Sequence, residues 1–163
     1  MITLHSILIF LHGLNRWLAL LSGVWALGQV LPGLTGKRVF GLLERRSIGL
    51  FGGLLYLQMI LGLLLVAEMS LQHSPIFAGR AATQWGHMLG GFLAVAAGTL
   101  ALLSARKTGG QRAKYLFTGL WSALALLLLG RLQIMLALLA LLLLAQAGFL
   151  WLRQRAEGGS KNG

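Results

Sequence analysis

Long apolar runs separated by short basic clusters dominate the chain. The first run ends at Leu31, just before Pro32-Gly33 and a stretch holding Lys37, Arg38, Glu44, Arg45 and Arg46. A second run covers residues 48–69 and a third covers 84–105. Between them, residues 70–83 include His73, Pro75 and Arg80 and read as a loop. Arg106, Lys107, Arg112 and Lys114 surround the turn-forming Gly109-Gly110. Each run approaches the length of about 20 residues that a helix needs to cross the hydrocarbon core. The pattern predicts an all-α integral membrane helical bundle.

Residues 115–152 form one further apolar stretch, interrupted only at Gly130-Arg131-Leu132-Gln133. As a single helix it would be about 57 Å long, nearly twice the hydrocarbon thickness. Two spans meeting near Gly130-Arg131 resolve the excess. The expected layout is a bundle over residues 1–152, with spans at about 9–31, 48–69, 84–105, 115–130 and 132–152. Four of these spans form the core and the fifth is C-terminal. A basic disordered tail follows at 153–163.

Composition agrees with this layout. Hydrophobic residues make up 57% of the 163 positions and charged residues only 10%, with a net charge of +11. Soluble domains carry about a quarter charged residues. The basic residues fall between the apolar runs, where anionic headgroups and the positive-inside rule place them. No nucleic-acid-binding pattern accompanies them. Residues 32–47 hold four Lys and Arg, 106–114 four, and 153–163 three, which leaves only Arg16, Arg80 and Arg131 elsewhere. The tail joins the other two clusters on one side only if 115–152 crosses twice. This arrangement predicts a bacterial cytoplasmic membrane protein with its N-terminus outside and its C-terminus inside. No charge precedes Arg16, so the N-terminus does not read as a cleaved signal peptide. The chain has no Cys, which excludes disulfides, iron–sulfur clusters and covalent c-type haem. Three Glu and no Asp leave little for hydrolytic acid–base chemistry.

The depth of each polar residue, counted from the basic end of its span, is informative. His12 lies 19 residues up the first span and Arg16 lies 15. His87 lies 18 up the third, Glu68 20 up the second and Arg131 16 up the fourth. These five form one outer-leaflet layer, and Gln58, only 10 residues up, falls near mid-membrane. Ionisable groups at such depth face the bundle interior or a cavity. His12, Arg16, Ala19, Gly23 and Ala26 share one helix face. Small-residue pairs recur at Gly49/Gly53 and at Gly86/Gly90, and Gln58 is followed by Gly62 at the same spacing. Such spacing lets helices approach closely or admits a planar ligand.

Two imidazoles at equal depth on non-consecutive helices, with guanidinium groups nearby, are the arrangement that haem b uses. The iron takes two axial histidines, and the propionates take arginines. The expected site is His12 and His87 as axial ligands to one haem, with Arg16 and Arg131 toward the propionates. Glu68 would orient one imidazole through its second nitrogen. The implied role is one-electron transfer near the outer face, between a quinol and a redox partner of respiratory type. A copper or zinc site built from His5, His12, His73 and His87 with Met69 and Met88 is a rival for the same residues. The other alternative is a cofactor-free accessory or assembly subunit of a larger membrane complex.

Several short motifs carry a family resemblance. The first span reads Leu11-His12-Gly13-Leu14-Asn15-Arg16-Trp17, the second Leu57-Gln58-Met59-Ile60-Leu61-Gly62-Leu63 and the third Gln84-Trp85-Gly86-His87-Met88. The fourth ends in Leu129-Gly130-Arg131-Leu132-Gln133. In order and spacing, over about residues 4–133, the chain resembles the small bacterial four-helix membrane proteins labelled "cytochrome B". The resemblance implies a four-helix core and haem-dependent electron transfer through the matching His12, Gln58, His87 and Arg131. The family's third-span histidine follows Glu and precedes Pro, whereas His87 lies between Gly86 and Met88. The family also stops soon after its fourth span, and this chain continues to 152 with a fifth apolar run.

Overall fold

The computed structural model describes residues 3–35, 39–71, 81–107 and 110–130. They form four helices: α1 (Leu4–Thr35), α2 (Leu42–Leu71), α3 (Ala81–Arg106) and α4 (Gln111–Leu129). Among the described residues there is no strand. All four helices are long and apolar enough to cross a membrane. In hydrocarbon, helices are favoured because every backbone N–H and C=O must find its partner within the segment. The proposed fifth span, residues 132–152, lies outside the described residues, as do Arg131, His73 and Arg80.

The helices close into a ring in which α1 packs on α2 and α4, and α3 packs on the same two. Thus α1 and α3 face each other across the bundle axis. Short connections and shared contacts make successive helices antiparallel. The seams are built from small residues: Ala19, Ala26, Ala94, Ala97, Ala101, Ala105 and Ala125 are all buried. Membrane helices associate through such close van der Waals contact, because lipid offers no hydrophobic penalty to drive them together. Gly33 is covered by the ring of Tyr115, Gly52 by Leu102 and Gly98 by Leu55. The outward faces of α1 and α3 carry Phe10, Trp17, Leu21, Trp25, Leu89 and Phe92, at least 47% exposed in each case, as lipid-facing surfaces should. Gly49 and Gly53 also point outward with no atom near them, so that expected stripe is not a seam.

Helix α2 starts six residues earlier than the hydrophobic run suggested. Gly41 precedes its first turn, and the Glu44 carboxylate reaches back to accept from the Gly41 N–H at 2.9 Å, which is half of a capping box. Tyr115 on α4 donates its hydroxyl to the other Glu44 oxygen at 3.3 Å. Phe40 N–H donates to Gln111 Oε1 at 2.8 Å, which ties the α1–α2 connection to the start of α4. Glu44 was expected only as part of a basic loop. In the fold it is a buried cap at the basic end of the bundle.

The candidate site at the histidine end

The six added residues change the register on which the depth count rested. Asn15 on α1 meets Gln58 on α2, and ten residues away on each helix His5 meets Glu68. The two helices therefore hold one antiparallel register over about 15 Å. Gln58, expected near mid-membrane, reaches His12: its Nε2 lies 2.9 Å from His12 Nε2. Glu68 moves the same way by the same amount. It sits one tier above the histidine pair and takes His5 Nδ1 at 2.7 Å. The expected single layer is in fact two tiers, and Glu68 orients His5, not His12 or His87.

The expected meeting of His12 and His87 occurs. Their ring centroids are 6.2 Å apart, with the planes inclined at 73°. They come from α1 and α3, so they face each other across the bundle axis. His12 is half-buried and His87 is exposed on the cavity side of α3. Beside them lies a cavity of about 210 Å³, lined by His12, Arg16, Gln58, Gly62, His87 and Gly91 together with apolar side chains. Leu63 and Phe92 on its edge are each 47% exposed, so it opens sideways toward the acyl chains. Gly62 lies against the His12 ring, where a Cβ would stand 3.4 Å from His12 Cε1, in ordinary van der Waals contact. Arg16 is half-buried and makes no ion pair among the described residues.

Asn15 is the participant that sequence reasoning missed. Its amide donates both hydrogens, one to the Leu54 carbonyl at 3.0 Å and one to Gln58 Oε1 at 2.7 Å. A backbone carbonyl can only accept, so Asn15 has one orientation, and Gln58 must then turn its NH₂ toward His12. The signal was its spacing: Asn15 lies three residues after His12, on the same face of one helix. His12 Nδ1 is buried and lacks a hydrogen-bond partner among the described residues.

Among the described residues, no group of three or more His, Cys, Asp or Glu gathers in one place. The histidine pair therefore offers a metal two imidazoles. No family model matches the chain, and no match was found among curated proteins or solved structures.

Proposed function

We propose that the bundle holds one haem b between His12 and His87 and passes single electrons near the outer face of a bacterial cytoplasmic membrane. The observation that carries this reading is the imidazole pair itself, facing across the bundle axis at 6.2 Å. Two imidazoles on one metal axis have centroids about 6 Å apart, given metal–nitrogen bonds of about 2 Å. With no third His, Cys, Asp or Glu beside it among the described residues, the pair suits a metal whose equatorial nitrogens come from a macrocycle better than a bare zinc or copper ion. His5, a member of the rival copper or zinc set, is held by Glu68 in the tier above.

The chain's own residues suit such a group in two further ways. With Gln58 turned by Asn15 to present its NH₂, His12 Nε2 carries the lone pair that a metal ligand needs. Arg16, which makes no ion pair among the described residues, brings its guanidinium to the cavity wall, where a propionate would find a bidentate partner. Arg131, expected to share that work, lies outside the described residues. The chemistry that haem supplies when bound is a one-electron couple, with the protein setting its orientation and electrostatics. A quinol as donor and a respiratory-type complex as acceptor complete the proposal. The charge distribution supports an N-terminus outside.

A second reading has one observation in its favour. The cavity, at about 210 Å³, is below the range of about 300–1000 Å³ usual for sites that enclose a small molecule. That supports a cofactor-free accessory subunit in which Asn15, Gln58 and the histidines are a buried polar network. A reduced-minus-oxidised spectrum of the purified protein separates the two readings. The haem reading expects a Soret band that disappears in the His12→Ala, His87→Ala double variant. A colourless protein, or a band that survives both substitutions, ends it; stoichiometric co-purification with a larger complex then favours the accessory role.

A further inference from the structure

The hydrogen bonds around His12 run in one direction only, from a backbone atom that cannot reverse. The Leu54 carbonyl accepts from Asn15, Asn15 donates its second hydrogen to Gln58 Oε1, and Gln58 donates to His12 Nε2. Reversing any link turns the chain back on itself. If Gln58 flipped, its NH₂ would face the Asn15 NH₂; if Asn15 flipped to follow, its oxygen would face the Leu54 oxygen. Asn15 is 4% exposed and Gln58 8%, so water is not at hand to repair either mismatch. A buried polar group left facing a like group costs about 1–3 kcal/mol.

We infer that Asn15 and Gln58 are positioning residues that hold neutral His12 in a single tautomer, with the proton on Nδ1 and the lone pair on Nε2. Both act through the His12 ring. The lone pair is thereby kept on the nitrogen facing Gln58. That nitrogen, free of a proton, would be the one His12 offers to a metal. The relay places the proton on Nδ1, which is buried and has no hydrogen-bond partner among the described residues.

This inference deepens the haem reading, yet its first test does not depend on haem. In ligand-free protein labelled with ¹⁵N-histidine, at a pH where the ring is neutral, His12 should show a protonated Nδ1 and an unprotonated Nε2. The resonances are assigned by their loss in His12→Ala. Asn15→Ala releases Gln58, and Gln58→Met, close in shape but without a donor, removes the last link. Both variants should show the Nε2–H form appearing, with the helical circular dichroism of the parent. An Nε2–H ring in the parent, or the same tautomer in the parent and both variants, overturns the proposal. If one variant fails to fold, the other and the parent spectrum still decide it. Haemin titration is the second arm, and Asn15→Ala should bind at least about threefold more weakly than the parent. An unchanged affinity would remove the positioning role. If the parent shows the expected tautomer but takes up no haemin, the relay stands and the haem reading falls.

Discussion

His5 Nδ1 on the first turn of α1 stands 2.7 Å from Glu68 Oε2 on the last turn of α2, one tier above the His12–His87 pair. The contact closes the histidine end of the α1–α2 seam, while at the basic end Glu44 caps α2 and takes the Tyr115 hydroxyl of α4. Glu68 is almost fully buried, and the His5 side chain is 38% exposed.

Because one partner is wet, the pair should contribute modestly. A double-mutant cycle with His5→Ala and Glu68→Gln, read by denaturant unfolding in mixed micelles, is expected to give a coupling of about 1 kcal/mol. That lies between exposed pairs and hydrogen bonds to buried charges. His5→Ala should leave any haem spectrum unchanged. A spectrum altered by His5→Ala would return His5 to the ligand set.

The glycines should separate into three classes. At Gly33 an added methyl would run into the Tyr115 ring, whose hydroxyl is tied to Glu44. Gly33→Ala is therefore expected to cost about 1–3 kcal/mol, the range for overpacking a rigid neighbour. At Gly98 the obstacle is the tip of the Leu55 side chain, which can turn aside, so the cost should be smaller. Gly53→Ala meets open space and should be neutral or slightly stabilising through helix propensity. Thermal melts of the three variants in one detergent check the order. Equal costs at Gly33 and Gly53 would contradict the packing described for α1 and α4.

Glu44 serves through its oxygens, so the amide should largely replace it. Glu44→Gln can still accept from the Gly41 N–H through its carbonyl oxygen, whereas Glu44→Ala removes the cap. The expected loss for the alanine variant is about 1 kcal/mol or somewhat more, as for other helix caps. Tyr115→Phe should cost about 1 kcal/mol or less, because its 3.3 Å bond is long. Unfolding midpoints of the three variants test the ranking. An alanine variant as stable as the parent would show that the cap is dispensable.

The side of the membrane can be read directly because the chain has no Cys. Thr3→Cys and Lys107→Cys lie at opposite ends of the bundle, on exposed residues. With intact cells and a membrane-impermeant maleimide, Thr3→Cys should label at once and Lys107→Cys only after permeabilisation. The reverse pattern would invert the orientation and put the histidine end on the inner side.

The existence of the four helices and their all-α packing were legible from sequence because the cost of burying an unpaired backbone in lipid depends only on local apolarity and length. The six-residue error at the start of α2 came from the same rule. Arg45 and Arg46 look like loop residues, but they lie on the first turns of a helix that begins at Leu42, with Gly41 and Glu44 capping it. That offset carried Gln58 to mid-membrane and brought Glu68 down to the level of His12.

Sequence alone thus determined that four of its stretches form helices long and apolar enough to cross a membrane, which end is basic, and that His12 and His87 lie on separate helices. It could not determine which polar side chains meet, because that depends on how far one helix slides along the next, and the slide is set by close packing at Gly23, Gly33, Gly52 and Gly98. Only the tertiary structure placed α1 and α3 across one axis, gave Glu68 to His5, and made Asn15 part of the site. The direction of the hydrogen bonds at His12 is likewise a tertiary property: it comes from a single backbone oxygen, that of Leu54, contributed by the neighbouring helix.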